Sequence, residues 1–322
     1  MRILVGTIGQ SILASDDDGE HWQRLGPRNG IQSDGIVRTL LSHPDDPQII
    51  LAGTDQGILR TEDGGRCWER VGEGLRNSTV WRVAFHPTDK NVLFAGTGTP
   101  TRPAILRSRD GGASWEDLNA PIAADCDNVG VPRVTDIAVD PKNPDSIWAG
   151  IEVDGALHST DGGRTWSVVD RQAIPNLDVH AVVINDGAVF VVVNNEIYAS
   201  HDDGASWEPV GVRTSFPHRH VRDLVVSPTN SRSAWATCGD FTPGTTGSLA
   251  RTSDAGKTWQ FVDMPVQPNS AMWVVRMQPD TPNLMLAASR YGYVYRSDDA
   301  GQTWSKWGRE FSEVSSIVWS PN

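Results

Sequence analysis

The sequence is poor in cysteine and in cationic side chains, and each shortage excludes a class of protein. Its three cysteines, Cys67, Cys126 and Cys238, show no metal-ligand spacing and cannot all pair, which favours a reducing compartment over a disulfide framework. Lys and Arg number 28 against 40 Asp and Glu, for a formal net charge of −12. Because the phosphate backbone attracts proteins of the opposite sign, nucleic acid is not expected as the main partner.

The sequence also lacks long apolar runs and helical periodicity. No stretch approaches the ~20 consecutive apolar residues that span a bilayer, so no membrane association is expected. Met1 leads directly into a strand-like segment with neither the apolar run nor the cleavage site of a signal peptide, and a cytoplasmic protein is therefore expected. Short strand-like segments such as VFVVVN and LMLAAS recur between Gly and Pro turns. These features predict an all-β fold.

One octapeptide pattern, S/T-x-D-x-G-x-x-W, recurs along the whole chain. Its copies start at residues 15, 61, 108, 159, 200, 252 and 297, and the intervals of 41 to 52 residues match four-stranded propeller blades. We interpret the Asp and Gly as residues of a tight turn, in which the carboxylate accepts hydrogen bonds from turn amides and Gly adopts a conformation that other residues resist. The Trp begins the next strand and is predicted to pack beneath the turn.

These octapeptides resemble the Asp-box, or bacterial neuraminidase repeat, of β-propeller proteins. The resemblance implies a fold and not an activity. The residues before the first octapeptide and after the start of the last one together make about one further repeat. The C-terminal segment EVSSIVWSPN has the pattern of a blade's first strand, and MRILVGT that of the second. We therefore predict a single seven-bladed β-propeller domain over residues 1–322, with four-stranded blades and a ring closed by the C-terminal strand joining the N-terminal strands in one blade.

Each repeat divides into four strands, named A to D from the predicted central axis outward, with the octapeptide at the turn from C to D. This assignment places all the octapeptides on the face of the A-to-B turns. The D-to-A and B-to-C loops form the opposite face, together with the mouth of the central channel. Ligands in such folds usually bind in a concave site of this kind, so the mouth is the predicted functional site.

When the A strands are aligned on their first apolar residue, the two positions that follow it lie at the predicted mouth and carry different residues from blade to blade, as a specific site requires. We predict acid–base catalysis by His180, with Asp136 or Asp223 fixing its tautomer and Glu152 or Asp240 as a second carboxylate. Arginines there are predicted to clamp an anionic group, and tryptophans to stack on a sugar or aromatic ring. The predicted substrate-binding residues are Arg38, Trp81, Arg82, Arg222, Asp240, Trp273, Arg290 and Tyr291.

Two long loops, residues 119–133 and 239–247, are expected to overhang the mouth as partial lids. The alternative interpretation of the whole mouth is a solvated rim whose charged residues satisfy one another. Acidic pairs within the octapeptides resemble calcium ligands, but in this context we interpret them as turn-forming residues. The sequence predicts no cofactor and no metal site.

Asp-box proteins have several activities, and the resemblance implies different ones. Sialidases usually carry an Arg-Ile-Pro-type motif and six blades, so the missing motif and the predicted seven blades make a sialidase unexpected. The segment VTDIAVDPKNPDSIWAG is similar to repeats of xyloglucan-active glycosidases, which pair two propellers around the substrate and are exported. A photosystem assembly factor is similar in blade number and size, and it binds protein through an Arg-rich face, but it normally carries a lumenal targeting segment.

Two functional hypotheses follow. The first is a hydrolase or lyase that acts on a small anionic or sugar-like molecule at the channel mouth. The second is a non-catalytic scaffold or assembly factor that binds a protein partner through the same face. Convergence of histidine, acidic, arginine and tryptophan residues at the mouth favours the first slightly, because an interaction face more often shows exposed apolar anchors.

Overall fold

Strands in the computed structural model, which describes residues 1–32 and 35–320, form seven sheets of four strands each. Neighbouring strands within a sheet run antiparallel. Each sheet is one blade of a seven-bladed β-propeller, which confirms the predicted fold class. Within each blade the octapeptide links the third strand to the fourth, as predicted.

The first four blades take most of their strands from the N-terminal part of the chain. Blade 1 contains β1 (Arg2–Thr7), β2 (Ile12–Ser15) and β3 (Gln23–Arg24), and blade 2 contains β4 (Val37–Ser42), β5 (Ile50–Thr54), β6 (Gly57–Thr61) and β7 (Glu69–Val71). Blade 3 contains β8 (Val80–Phe85), β9 (Leu93–Thr97), β10 (Ile105–Ser108) and β11 (Glu116–Asp117). Blade 4 contains β12 (Val134–Val139), β13 (Ile147–Ile151), β14 (Gly155–Ser159) and β15 (Ser167–Val168).

The last three blades follow the same pattern. Blade 5 contains β16 (Val179–Asn185), β17 (Ala188–Val193), β18 (Glu196–Ser200) and β19 (Glu208–Pro209). Blade 6 contains β20 (His220–Ser227), β21 (Asn230–Gly239), β22 (Gly247–Thr252) and β23 (Gln260–Phe261). Blade 7 contains β24 (Met272–Met277), β25 (Met285–Ser289), β26 (Val294–Ser297) and β27 (Ser305–Lys306), and the final strand is β28 (Val314–Ser320).

Blade 1 combines both ends of the chain. Its strand order is β28-β1-β2-β3, so the inner strand comes from the C-terminal segment and the other three from the N-terminal segment. This order confirms the predicted closure of the ring. Pro321, the residue that follows β28 in the sequence, lies outside the described residues.

Within the part of the chain that the structure describes, helical structure is confined to single turns. These are two 3-10 turns, Pro27–Asn29 and Glu73–Leu75, and the four-residue helix α1 (Val212–Ser215). Among residues 1–32 and 35–320, no helix combines the length and the apolar character that crossing a bilayer requires.

The chain divides into two compact units, Met1–Val182 with Val318–Asn322 and Val183–Ile317. We call them the first and second unit and describe each by itself. The sequence-based expectation of a single domain over residues 1–322 stays a prediction.

Glycines in the second strands let adjacent blades of the first unit approach closely. A Cβ atom on Gly96 would lie 2.5 Å from a methyl of Val134 in the next blade, and one on Gly150 would lie 2.6 Å from a methyl of Val179. These distances are shorter than van der Waals contact, so a larger residue would push the blades apart. The repeated sequences FAGT and WAGI therefore reflect packing between blades.

The seven octapeptides share one hydrogen-bond pattern. In each copy the first Ser or Thr hydroxyl donates to the Asp carboxylate and accepts from the Gly amide, as in Ser159, Asp161 and Gly163 at 2.9 and 2.8 Å. The indole of Trp115 closes its turn by donating to the Gly112 carbonyl at 2.9 Å. The same Ser or Thr bond to Asp occurs in the other six copies. The predicted turn chemistry is therefore present in every blade.

Hydrogen bonds within the octapeptides hold the pKa of most of their Asp carboxyls far below the ordinary value. The donors are the backbone amide and the side chain of the residue four positions later, such as Thr165 for Asp161 and Ser114 for Asp110. They lower the pKa from 3.8 to about 2 in Asp17, Asp110, Asp161, Asp254 and Asp299. The folded protein therefore binds fewer protons than the unfolded chain between these two values.

This difference predicts a loss of stability in acid. Because the folded-state pKa is the lower one, the stabilisation is complete above pH 3.8 and disappears as the pH falls to about 2. We expect the free energy of unfolding, measured by urea titration with tryptophan fluorescence, to fall steeply across that interval. Asp161→Asn should be less stable at pH 7 and should lose less stability on acidification, whereas Asp127→Asn in an exposed loop should behave like the wild type. A free energy of unfolding that is constant from pH 4 to pH 2 would contradict the prediction.

Candidate functional site

A β-bulge near the start of the inner strand positions many of the predicted mouth residues. In five blades the register between the first two strands skips one residue of the inner strand, for example between Val37 and Thr39 or between Val80 and Arg82. A bulge leaves the extra residue out of the ladder and changes the direction of its side chain. The skipped residues are Arg38, Trp81, Thr135, Arg222 and Trp273.

In the first unit, two arginines stack on one tryptophan. The guanidinium carbon of Arg38 lies 3.9 Å from the centroid of the Trp81 ring, and that of Arg133 lies 4.4 Å from it. The Trp81 indole donates to the Thr99 carbonyl at 3.0 Å, and the Arg133 guanidinium pairs with both carboxylate oxygens of Glu152. Cations over an aromatic face are attracted by its quadrupole, so the three side chains support one another.

The second unit contains an equivalent arrangement. Arg222 and Arg290 place their guanidinium carbons 4.3 and 4.4 Å from the centroid of the Trp273 ring. Arg290 also pairs with the carboxylate of Glu313. We refer to the two clusters as the first stack (Arg38, Trp81, Arg133 and Glu152) and the second stack (Arg222, Trp273, Arg290 and Glu313).

The two stacks are locally cationic. Each contains two guanidinium groups and one carboxylate, which leaves one positive charge in a chain whose formal net charge is −12. The tryptophans and arginines are half-buried, so each cluster is partly accessible to solvent. Both tryptophan rings that were expected to receive a sugar are each stacked with two arginines.

Two of the predicted catalytic acids join neighbouring inner strands. Asp136 is buried and accepts hydrogen bonds from the Val182 amide at 3.0 Å and from its own neighbour, the Ile137 amide, at 2.8 Å. Its carboxylate also lies 2.7 Å from the Arg82 guanidinium. These contacts link blades 3, 4 and 5. Asp136 and Arg82 therefore connect inner strands of neighbouring blades, which the alignment of the A strands did not predict.

Asp223 has the same role in the second unit. It accepts from the Val275 amide at 3.3 Å and the Leu224 amide at 3.1 Å, and it pairs with the Arg276 guanidinium. Asp136 and Asp223 occupy equivalent positions in their strands, and each bonds an equivalent amide of the following blade. Their carboxylates therefore make the same connection between neighbouring blades in both units, and the catalytic role expected from the sequence stays a prediction.

His180 is buried next to an acid that the sequence analysis did not name. Its Nε2 lies 3.4 Å from a carboxylate oxygen of Asp178, and only 5% of the His180 side chain is exposed. Asp178 lies two residues before it and immediately precedes β16. Asp178 is therefore an acid in position to orient this ring, and the expectation that Asp136 or Asp223 does so stays a prediction.

Asp240 holds the loop that contains it. Its carboxylate accepts from the backbone amides of Phe241, Thr245 and Thr246 at 3.0, 2.9 and 3.3 Å. Burial by itself raises the pKa of Asp240. Hydrogen bonds from the Thr245 side chain and from these amides have the larger combined effect and lower the pKa from 3.8 to about 2. Asp240 therefore shapes the loop 239–247 and is a poor proton donor at neutral pH.

Two further predictions concern Tyr291 and the loop of residues 119–133. Tyr291 is 42% exposed. The loop 119–133 is fixed at one point by Asp154, which accepts from the Ala123 amide and from Arg171, each at 2.8 Å. Its last residue is Arg133 of the first stack. Among the described residues, no group of three His, Cys, Asp or Glu side chains is arranged to hold a metal ion.

The residues that sequence reasoning missed share one position. Arg133, Asp178 and Glu313 each stand immediately before the first apolar residue of an inner strand. The alignment considered only the two positions after that residue. Extending it by one position towards the N-terminus would have found these three charges.

Comparison with protein families identifies the chain's relatives. The Sortilin-Vps10 family model, described as sortilin, neurotensin receptor 3, matches residues 56–179 and 195–321. The chain belongs to the Sortilin-Vps10 family. The family match covers most of the seven-bladed fold. It does not test whether the octapeptides are Asp-boxes.

Curated relatives of this Sortilin-Vps10 family member include enzymes. A xyloglucanase of Hypocrea jecorina (strain QM6a) is 26% identical over 326 residues, which cover 84% of this chain and 38% of the relative. The chain therefore spans well under half the length of that relative.

Several solved structures share this fold. The GH74 xyloglucanase from Xanthomonas campestris has a TM-score of 0.68 and 22% identity, covering 89% of this chain and 46% of its own. YCF48 from Cyanidioschyzon merolae has a TM-score of 0.62 and 20% identity, covering 89% of both chains. YCF48 bound to D1 peptide has a TM-score of 0.56 and 20% identity, covering 84% of this chain and 81% of its own.

Proposed function

We propose that this chain is a non-catalytic binding propeller that recognises an anionic ligand through its arginine–tryptophan stacks. The single observation that carries the proposal is the repetition of the stack. Two arginines, one tryptophan and one glutamate meet in both units, and in each unit the tryptophan and one of the arginines are residues of a β-bulge. A solvated rim needs no such order, whereas a binding site does.

Guanidinium groups held on an indole ring are well prepared to bind anions. The planar fork of arginine matches carboxylate and phosphate groups with two parallel hydrogen bonds. Stacking on Trp81 or Trp273 restricts the side-chain rotamers before binding, so less conformational entropy is lost when the ligand arrives. Each stack already holds one carboxylate, Glu152 or Glu313, which illustrates the chemistry it accepts.

The predicted acids do not favour catalysis. Glycoside hydrolysis requires a pair of carboxyl groups that face the substrate on either side of the scissile bond. Asp136 and Asp223 bond backbone amides of neighbouring blades, Glu152 pairs with Arg133, and Asp240 closes its own loop. Each acid therefore has a structural partner where a catalytic pair would need to meet the ligand.

A hydrolase acting on a sugar is the second candidate, and one contact favours it. His180 lies beside Asp178, an arrangement that can orient an imidazole for proton transfer. The Hypocrea relative is named a xyloglucanase, while one of the solved structures with this fold is YCF48 bound to D1 peptide. The ligand in our proposal is a small molecule or carbohydrate, with a protein segment as the alternative. We also propose that the octapeptides are Asp-boxes and that the protein is cytoplasmic.

Thermal stabilisation by a panel of carboxylated and phosphorylated metabolites and oligosaccharides tests the proposal, because a ligand that binds only the folded state raises its apparent stability. Arg38→Gln or Arg222→Gln removes a charge-assisted hydrogen bond worth roughly 1.5–3 kcal/mol, so affinity for a stabilising anion should fall about 10- to 100-fold with at least one of the two variants. The affinity should also weaken with added salt.

Arg164→Gln is the matched control, because Arg164 is an exposed arginine of an octapeptide turn and lies in neither stack. Its affinity should equal that of the wild type. If no anion stabilises the wild type, or if both stack variants bind as well as Arg164→Gln, the proposal is wrong. Release of reducing sugar from xyloglucan oligosaccharides that disappears in His180→Gln would favour the hydrolase instead.

A further inference from the structure

Exposed aromatic side chains occur beside the second stack. Among the described residues, the large hydrophobic side chains that are exposed are Val168, Phe241, Phe261, Val266 and Tyr291. Phe241 is 69% exposed and Tyr291 is 42% exposed, and Tyr291 directly follows Arg290 of the second stack. The first unit contributes only Val168 to this set, so the two stacks have different surroundings.

Hydrogen bonds hold the segments around the second stack side by side. The Ala271 amide donates to the Pro243 carbonyl, two residues after Phe241, at 2.8 Å. The Arg290 amide donates to the Ala271 carbonyl at 2.8 Å, and the Tyr291 amide donates to the Ser270 hydroxyl at 2.8 Å. The backbone segments that carry Phe241, Tyr291 and Arg290 therefore lie side by side, and we call Phe241, Tyr291 and the second stack together the aromatic surface.

The charge of this surface is positive. It contains Arg222 and Arg290, and the preceding loop adds the exposed Arg219. Of the nearby acids, Glu313 pairs with Arg290, and Asp240 is surrounded by amides of its own loop. An anionic ligand would therefore meet cations that are fixed in place beside exposed rings.

The backbone of the aromatic surface narrows the class of ligand. A peptide that adds a strand needs an edge of unpaired amide and carbonyl groups. Here the Ala271 amide and carbonyl, the Arg290 amide and the Tyr291 amide are already bonded within the surface, and the Tyr291 carbonyl accepts from Asn269 at 2.8 Å. The side chains that reach solvent at this surface are the exposed aromatic rings of Phe241 and Tyr291 and the half-buried guanidinium groups of the second stack. Flat rings pack against the apolar face of a pyranose, and the arginine fork pairs with a planar carboxylate.

We propose that the aromatic surface of the second unit binds an oligosaccharide that carries uronic acid carboxylates. The sugar rings pack on Phe241 and Tyr291, and a carboxylate pairs with Arg222 or Arg290. This inference rests on the proposed function, because it names the ligand class for one of the two stacks.

Isothermal titration of the full chain with a galacturonic acid hexamer tests the inference. We expect saturable binding that weakens at least roughly fivefold in Tyr291→Ala, in Phe241→Ala and in Arg222→Gln. Phe261→Ala is the matched control, because Phe261 is an exposed phenylalanine of the same unit that packs on Phe216 away from the stack. Both aromatic variants remove exposed rings, so their melting temperatures should equal that of the wild type.

Two comparison ligands make the result decisive. A neutral xyloglucan oligosaccharide of similar length should bind at least roughly tenfold more weakly, and a poly-glutamate peptide should not compete. Equal binding of the neutral sugar, preferred binding of the peptide, or unchanged affinity in both aromatic variants would overturn the inference. If another anion binds and depends on Arg222 while the hexamer does not, the inference fails and the proposed function stands. If no anion binds at all, both fail.

Discussion

Deletion of residues 314–322 is expected to leave no cooperatively folded protein. These residues include β28, the inner strand of blade 1, and their loss would expose the backbone edge of β1. The deletion also removes Ile317 and Trp319, both fully buried, and the hydrogen bond from Gln48 to the Ser320 hydroxyl at 2.8 Å. Loss of one large buried ring alone costs about 3–5 kcal/mol, and the total stability of a typical domain is roughly 5–15 kcal/mol.

Far-ultraviolet circular dichroism and thermal melting measure this effect. A shorter deletion of residues 321–322 is the control, because it leaves β28 complete. It should melt like the wild type. Cooperative melting of the longer deletion within a few degrees of the wild type would show that β28 is not needed to close the ring.

Replacement of Trp68 by alanine is expected to cost about 3–5 kcal/mol of unfolding free energy. Trp68 is the octapeptide tryptophan of blade 2 and is only 4% exposed, in a core cluster with Leu25, Ile31 and Leu59. Its indole also donates to the Gly65 carbonyl at 3.1 Å. The substitution therefore removes a buried ring and leaves a cavity beneath the turn.

Urea unfolding followed by circular dichroism gives the free energy. Trp68→Phe should lose less, because most of the ring volume remains. Trp22→Ala, at the equivalent position of blade 1, should also lose less, because Trp22 is only half-buried. If the three variants lose equal stability, burial of Trp68 does not explain its contribution.

Much of the fold could be predicted because it depends on local, repeated chemistry. Each octapeptide closes its own turn with bonds between residues two to four positions apart, such as Ser159 to Asp161 and Gly163 to Ser159. A pattern of that range is visible in the sequence. The interval between copies then indicates four strands per blade. The two terminal segments, which together make about one further repeat, indicate how the ring closes.

The candidate site could be predicted only in part. Alignment of the inner strands located Arg38, Trp81, Arg222 and Trp273, because all four occupy the same position after the first apolar residue. It did not predict the bulge that places them, since a bulge depends on pairing with a second strand. It also did not predict which charges meet.

The sequence by itself determined the repeat, the blade number, the strand order and the positions that differ between blades. Only the tertiary structure decided the partners of those positions. Arg133 reaches Trp81 from 52 residues away in the chain, and Asp223 reaches the Val275 amide from 52 residues away. Contacts of this kind join different blades, and their distances depend on how blades pack. A carboxylate that the sequence pattern predicts to be catalytic can therefore accept a hydrogen bond from a backbone amide of the next blade. Only the folded chain shows which carboxylates do so.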